Sequence, residues 1–280
     1  MYKESRHDVY SLPLLRRLTG YWRALPDFLI IGAQKAGTTT VYDNLVKHPL
    51  VRPADIKEVH FFDNNWHKGK NWYKAHFDAR PSTAQTNEPQ HTRDWITGEA
   101  SPYYLFHPLA PGRVKQVCPQ ARLIVILRNP TERAYSHYHH EARKGREPLS
   151  FEQALAEEDS RLLGEEDRLR TGTANSSFPH QHYSYRSRGE YAGQLENWLQ
   201  HFPREQFLVL ESSRLNRDFA GQFQRIYDFL NLPPVEIAQP RRSNVGSYEK
   251  MPEHIRQDLN THYAPHNERL YEILGESLGW

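Results

Sequence analysis

The chain has 280 residues, a formal net charge of +2 and a single cysteine, Cys118. A net charge this small gives no reason to expect nucleic acid or an anionic membrane as a partner. One cysteine cannot form an internal disulfide, which favours a reducing compartment, and no apolar run approaches the roughly 18 residues of a membrane-spanning helix. We therefore expect a cytoplasmic protein with one large domain over residues 26–280, preceded by an extension over residues 1–25.

The first predicted strand, residues 28–33, leads into a glycine-flanked loop and then into a threonine-rich helix at residues 39–47. Gly32 and Gly37 let the backbone approach a phosphate closely, and the first amides of the helix point toward it with the positive end of the helix dipole. The loop therefore predicts an anion-binding site. The residues that would form it are Lys35, Ala36, Gly37, Thr38 and Thr39.

Further strands are predicted at residues 97–100, 123–128 and 207–211, and further helices at 191–202 and 219–230. Short apolar strands that alternate with helices favour a right-handed, doubly wound sheet. We predict an α/β fold, a P-loop-like single domain with a central parallel β-sheet flanked by helices. Ligands of such sheets bind at the carboxyl ends of the strands, where the Lys35 loop and Arg128 both fall.

A second anion site is predicted where the strand at 123–128 ends in Arg128. The helix that follows has Asn129 suited to the N-cap, Pro130 to the first helical position and Glu132 to the capping box. Ser136 lies about two turns into that helix. The alternative is that Arg128 pairs with an acidic neighbour and Ser136 is only a hydroxyl on the helix face.

Neither anion site has the usual arrangement of a magnesium-dependent P-loop enzyme. Such enzymes place lysine and a hydroxyl residue after the last glycine, whereas here Lys35 precedes Gly37. They also usually offer an aspartate at a strand end, where this chain has Arg128. The sequence thus predicts anion binding by cations and amides, with no metal required.

The histidines and one charged segment have more ordinary interpretations. There are 16 histidines, and the cluster at His137, His139 and His140 has no second ligand group at a recognisable metal spacing. We therefore predict that these side chains pack or lie at the surface. Residues 155–180 are charged and poor in large apolar groups, which predicts a solvated peripheral insertion able to act as a flap.

Six segments, taken in order along the chain, resemble sulfotransferases that use PAPS (3′-phosphoadenosine 5′-phosphosulfate). They are residues 32–39, 57–63, 98–104, 128–138, 189–203 and 263–271. The likeness is to the heparan-sulfate-type branch and its stand-alone bacterial relatives, and it covers nearly all of residues 26–280. Relatives that act on polysaccharides often have a lysine directly after the glutamate at position 99. This chain has Ala100 there, which favours the bacterial branch.

The resemblance implies roles for the two anion sites. The loop with Lys35, Gly37, Thr38 and Thr39 would grip the 5′-phosphosulfate of PAPS, and Lys35 would stabilise charge on the leaving oxygen. Arg128 and Ser136 would hold the 3′-phosphate. Residues 241–280 would supply a donor-closing loop and a C-terminal helix, with Arg241 or Arg242 contacting the same phosphate. The product would be adenosine 3′,5′-bisphosphate.

Glu58 and His60 are the candidates for the general base. The resemblance implies Glu58, and His60 also fits because the ordinary pKa of histidine, about 6.5, is close to working pH. Without the resemblance, Lys57 and Glu58 would be read as a solvated pair before a buried Phe61–Phe62 wedge. The acceptor would be a hydroxyl of a carbohydrate, a lipid or a natural product.

Two other functions remain open from the sequence. One is an ATP-dependent phosphotransferase built on the same loop, which the position of Lys35 and the arginine at the strand end disfavour. The other is a non-catalytic nucleotide-binding module, which the presence of Lys35, Glu58 and His60 together disfavours.

Overall fold

The computed structural model describes residue 16 and residues 19–80, 94–236 and 249–280. Its five strands are β1 (Phe28–Gly32), β2 (Val51–Pro53), β3 (Ile96–Ala100), β4 (Arg122–Leu127) and β5 (Phe207–Glu211). They form one sheet in the order β2-β3-β1-β4-β5, and every neighbouring pair is parallel. This confirms the predicted α/β fold.

Burial explains why four of these strands were predictable and one was not. β1 is buried along its whole length, and β4 is buried beyond its first residue, as expected for apolar strands covered by helices on both faces. β2 has three residues, lies at the sheet edge and ends at Pro53. A proline is tolerated on an edge strand because it cannot donate to the ladder. So short a segment carries no apolar pattern.

Helices surround the sheet. In the described residues they are α1 (Thr38–Leu45), α2 (Gly69–Lys74), α3 (Ala110–Val117), α4 (Pro130–Arg143), α5 (Phe151–Ala156), α6 (Glu158–Leu162), α7 (Glu165–Arg170), α8 (Phe178–His182), α9 (Tyr191–Leu199), α10 (Ser212–Arg217), α11 (Phe219–Leu230) and α12 (Glu253–Leu274). Among the described residues, no helix combines the length and the apolar character needed to cross a bilayer. The cytoplasmic location stays a prediction.

The start of α4 follows the predicted capping only in part. The Asn129 side chain accepts a hydrogen bond of 3.2 Å from the backbone N–H of Glu132, and Pro130 occupies the first turn. The Glu132 carboxylate does not close a capping box but pairs with Arg256 of α12. This ion pair ties the C-terminal helix to the helix that follows Arg128.

The charged segment at residues 155–180 is attached to the body of the protein. It contains α6 and α7 and leads into α8. Glu158 is fully buried and accepts hydrogen bonds from the backbone N–H groups of Arg186, at 2.6 Å, and Ser187, at 2.8 Å. Its movement as a flap stays a prediction, and these bonds would have to break for α6 to move.

Candidate active site

The segment between β1 and α1, residues 32–39, is named the donor loop. Gly37 has φ of 105°, a conformation that favours glycine, and forms the N-cap of α1. A Cβ placed on Gly37 would meet no atom within 4 Å, so the space above the loop is open. Because glycine has no side chain to cap the helix, the first amides of α1 are left for an anion or water.

Lys35 lies in this loop among other cations. Partial burial lowers the pKa of its ammonium below the ordinary value, and the neighbouring charges of Arg143, Arg128 and Lys144 lower it further. Glu141 acts in the opposite direction. The predominance of positive charge gives this end of the sheet the electrostatic character of an anion site.

Arg128 connects the end of β4 to the donor loop. Its Nη1 donates a hydrogen bond of 3.1 Å to the backbone carbonyl of Lys35. Its own carbonyl accepts a bond of 2.9 Å from the hydroxyl of Tyr191. Within the described part of the chain, no carboxylate lies at ion-pair distance from Arg128, so the acidic-neighbour alternative finds no partner there. The structure thus brings the two predicted anion-binding segments into contact.

Residues 57–63, named the base loop, lie beside the donor loop. Lys57 Nζ is 2.6 Å from Thr39 Oγ1 and 3.1 Å from Glu58 Oε1. Its side chain is only 12% exposed and that of Glu58 is 31% exposed. The interpretation of Lys57 and Glu58 as a solvated surface pair is therefore wrong, because the lysine is held between the two loops.

Glu58, His60 and Asp63 are three ionisable groups in contact within the base loop, with His60 in the middle. His60 Nδ1 is 2.6 Å from Asp63 Oδ2, and its Nε2 is 3.5 Å from Glu58 Oε2. Burial alone would lower the pKa of His60, but Asp63 and then Glu58 raise it well above the ordinary value. Burial would raise the pKa of Glu58, but the hydrogen bond from His60 and the charge of Lys57 hold it below the ordinary value. Both shifts favour the charged forms, an imidazolium beside a carboxylate.

Glu99 of β3 holds the base loop in position through a hydrogen bond from the backbone of Val59. Its Oε1 accepts hydrogen bonds of 2.8 Å from the hydroxyls of both Tyr73 and Tyr104. Its Oε2 accepts from the hydroxyl of Ser101, at 2.7 Å, and from the backbone N–H of Val59, at 3.2 Å. Val59 lies between Glu58 and His60, so this fully buried carboxylate sets the position of both candidate bases.

The three candidate catalytic residues share an unusual backbone conformation. Four described residues other than glycine have positive φ: Lys35 at 70°, Glu58 at 62°, His60 at 53° and Asn231 at 55°. Asn231 is the C-cap of α11, where this conformation is ordinary. The other three lie in the two loops, and each costs roughly 1–3 kcal/mol, a strain that is concentrated at functional sites.

The structure gives less information on the other residues singled out in the sequence, which are Ser136, the two C-terminal arginines and the histidine cluster. Ser136 lies on α4 and is 7% exposed. Arg241 and Arg242 lie outside the described residues. His137 packs its ring 4.9 Å from that of Tyr185, and burial lowers its pKa well below the ordinary value. His140 has a pKa lowered to about 4 by burial and then by the charge of Lys35.

Three functional side chains were missed by sequence reasoning. Lys57 had a usable signal, since it directly precedes Glu58. Asp63 also had one, because it follows His60 by three residues, a spacing that lets the two side chains meet in a turn. Glu99 lies in one of the segments that resemble the family, but the sequence gives it no role. No local pattern indicates that its carboxylate accepts a hydrogen bond from Val59, 40 residues away.

Comparison with known proteins identifies relatives of the whole domain. A family model described as a sulfotransferase domain matches residues 25–260. Heparan sulfate glucosamine 3-O-sulfotransferase 6 of Mus musculus is 33% identical over 282 residues, which cover 92% of this chain and 74% of the mouse protein. Bifunctional heparan sulfate N-deacetylase/N-sulfotransferase 3 of Homo sapiens is 30% identical, over 89% of this chain and 30% of the human protein.

A solved structure agrees with both the sequence relatives and the fold. The crystal structure of a sulfotransferase from Alicyclobacillus acidocaldarius is 30% identical, with a TM-score of 0.65. The match covers 91% of this chain and 98% of that one. The residues matched by the family model, 25–260, include the sheet and both loops.

Proposed function

Because the chain belongs to the sulfotransferase family, we propose that it transfers a sulfuryl group from PAPS to an acceptor hydroxyl by in-line displacement without a metal ion. Family membership makes the protein a sulfotransferase. It favours this function over an ATP-dependent phosphotransferase and over a non-catalytic nucleotide-binding module. The donor, the base and the acceptor class are what the proposal adds.

The donor assignment rests on the charges around the donor loop. Burial, and then repulsion from Arg143, Arg128 and Lys144, disfavours the charged ammonium of Lys35, and a bound anion would offset both effects. The open space above Gly37 gives a phosphosulfate direct access to the amides of α1. We assign the 5′ end of PAPS to this loop.

The 3′-phosphate is assigned to Arg128, which directly follows β4, and to Ser136 of α4. One guanidinium nitrogen of Arg128 is used on the Lys35 carbonyl, and the planar fork has further donors for a phosphate. Arg241 or Arg242 would close over the same phosphate. This last assignment rests on the family resemblance.

Glu58 is proposed as the general base. A base must accept a proton, and the raised pKa of His60 disfavours the neutral imidazole that could do so. The carboxylate of Glu58 is ionised and partly exposed. As the acceptor oxygen forms its bond to sulfur, its proton moves to Glu58, and the sulfur–oxygen bond to the adenosine bisphosphate breaks.

The side chains around the reaction take the place that Mg²⁺ has in phosphoryl transfer. A transferring sulfuryl group carries less negative charge than a phosphoryl group, so fewer positive charges are needed. Lys35 and the amides of α1 stabilise charge on the bridging oxygen. His60, bound to buried Asp63, holds Glu58 in place and balances its charge. Each preorganised donor of this type typically contributes about 10²–10³-fold in rate.

The acceptor is proposed to be a hydroxyl of a carbohydrate, a lipid or a natural product. The mouse and human relatives are named for O-sulfation and N-sulfation of heparan sulfate, respectively. An ionised carboxylate suits a hydroxyl, which must be deprotonated as it attacks.

The observation that carries the proposal is the contact of Lys57 with both Thr39 and Glu58. This contact supports the assignment of Glu58 as the base, because its carboxylate lies beside the loop that would hold the 5′-phosphosulfate of the donor. The test is release of adenosine 3′,5′-bisphosphate from PAPS in the presence of EDTA, measured over a panel of carbohydrate, lipid and phenolic hydroxyl acceptors. The Lys35→Ala variant is the control for background hydrolysis.

Acceptor-dependent release in EDTA, with sulfate found on the acceptor oxygen by mass spectrometry, is expected. Turnover that requires a divalent cation would contradict the metal-free mechanism. Transfer to amines in preference to hydroxyls would contradict the acceptor class.

A further inference from the structure

Three potential metal ligands, none of them in the donor or base loop, meet between the start of α9 and the middle of α12. They are Glu190, His262 and His266, and one ligand atom from each lies within 4.8 Å of the other two. His262 Nε2 is 2.9 Å from Glu190 Oε1, and His266 Nε2 is 4.0 Å from the same oxygen. All three side chains are about one third exposed, so an ion could reach them from solvent.

Two side-chain contacts hold the helix that carries the histidines to the rest of the protein, although Pro265 inside it cannot donate a backbone hydrogen bond. His262 and His266 are four residues apart on α12, so they project from the same face of the helix one turn apart. Their rings lie 5.1 Å apart. Between them, Tyr263 is buried and its hydroxyl donates a hydrogen bond of 2.8 Å to the carbonyl of Arg186. One turn beyond His266, Arg269 pairs with Glu196 of α9.

We propose that Glu190, His262 and His266 form a zinc site that fastens α12 to the start of α9. Two imidazole nitrogens and one carboxylate oxygen are a donor set that Zn²⁺ takes, with a water as the fourth ligand. Bonds of about 2.0–2.2 Å in a tetrahedron place ligand atoms roughly 3.3 Å apart. The measured separations lie on both sides of this value, so small side-chain rotations would complete the geometry.

The site is structural and separate from the transfer reaction. Tyr191, the residue after Glu190, donates its hydroxyl hydrogen bond to the carbonyl of Arg128, so the site holds a segment that supports the donor-binding side of the sheet. None of its three ligands lies in the donor or base loop. A metal here is therefore compatible with sulfuryl transfer that needs no metal.

The alternative is that this position binds no ion and that Glu190 and His262 are joined only by their hydrogen bond. Zinc binding to the full-length protein separates the two cases. The protein is treated with EDTA, dialysed, and titrated with Zn²⁺ by calorimetry in competition with a chelator. The variants are Glu190→Gln, His262→Ala and His266→Ala. The matched control is His254→Ala, which removes an exposed histidine from the same helix.

We expect one Zn²⁺ per chain for the wild type and for His254→Ala. Loss of a supporting residue around a metal typically costs 10–100-fold in affinity, so loss of a direct ligand should cost at least about 100-fold. Added Zn²⁺ should raise the Tm of the wild type but not that of the ligand variants. Co²⁺ should give the visible absorption of a four-coordinate site, which His266→Ala should lose.

Two results would overturn the site: no stoichiometric Zn²⁺ binding by the wild type, or equal affinity in the wild type and the ligand variants. If an alanine variant fails to fold, Glu190→Gln decides, because it keeps the side-chain shape and a hydrogen bond to His262 while removing the anionic ligand. Failure of this test leaves sulfuryl transfer in EDTA unaffected, so the two proposals can be judged separately.

Discussion

The ammonium of Lys57 donates a hydrogen bond of 2.6 Å to the hydroxyl of Thr39, which joins the base loop to the donor loop. The same ammonium is 3.1 Å from the carboxylate of Glu58. The side chain is largely buried, so this is not a weak surface ion pair. One lysine thus joins the two loops and, together with His60, lowers the pKa of the proposed base.

Replacing Lys57 by Met should shift the pH dependence of turnover. The charge of Lys57 lowers the pKa of Glu58, so its removal should raise that pKa and move the acidic limb of kcat/KM to higher pH. The measurement is kcat/KM across the acidic range for the wild type and Lys57→Met. Lys57→Arg is the control, since it keeps the charge and should leave the limb in place. Coincident limbs for wild type and Lys57→Met would mean that Lys57 does not tune the base.

Glu58→Gln should lower kcat by about 10²–10⁴-fold, because an amide of the same shape cannot accept the proton. Binding of adenosine 3′,5′-bisphosphate, measured by calorimetry, should change little. His60→Asn is the comparison: if the imidazole were the base, that variant would lose more kcat than Glu58→Gln. A loss of donor affinity with kcat intact would place Glu58 in binding instead of chemistry.

Lys35→Ala should lose about 10²–10³-fold in turnover, because charge on the leaving oxygen would no longer be stabilised. Alanine keeps the Cβ, so the strain at φ 70° is unchanged and folding should be preserved. Circular dichroism and Tm check the fold. Lys70→Ala, at an exposed lysine of α2, is the control and should keep normal turnover. Near-normal activity of Lys35→Ala would remove this side chain from the mechanism.

Local patterns were enough to predict the framework of the active site. β1, β4 and β5 are apolar runs of the length of buried strands, and the turn after β1 has glycine where φ is positive. These features depend only on residues that are close together in the chain, so they can be predicted from the sequence. The N-cap at Asn129 is of the same kind, because its bond partner is three residues away.

Long-range contacts explain what could not be predicted. Glu99 binds residues 26 and 40 positions away, Tyr73 and Val59, and its burial is created by the whole sheet. The pKa values of Glu58 and His60 are set by tertiary neighbours, so the ordinary pKa of histidine was a poor guide to His60. The pKa shifts on which the proposal of Glu58 over His60 rests therefore could not be predicted from the sequence.

Arg128→Ala tests whether Arg128, at the end of β4, binds the 3′-phosphate of the nucleotide. The variant should weaken binding of adenosine 3′,5′-bisphosphate far more than binding of adenosine 5′-monophosphate, because only the former has a 3′-phosphate to lose. Arg128 also holds the Lys35 carbonyl, and that contact affects both nucleotides alike. The ratio of the two dissociation constants, measured by calorimetry, separates the roles. Equal losses would leave Arg128 as a support of the donor loop only.

Glu99→Gln should destabilise the protein and impair turnover together. An amide would present its NH₂ to one of the two pairs of hydrogen-bond donors that now face the carboxylate oxygens. Bonds to charged groups contribute about 1.5–3 kcal/mol each, so loss of one pair should lower the free energy of unfolding in urea by about 3–6 kcal/mol. Glu152→Gln, at an exposed carboxylate, should change it by less than about 0.5 kcal/mol. Since Val59 is one of the donors, a stable Glu99→Gln protein with normal kcat would show that this carboxylate does not position Glu58.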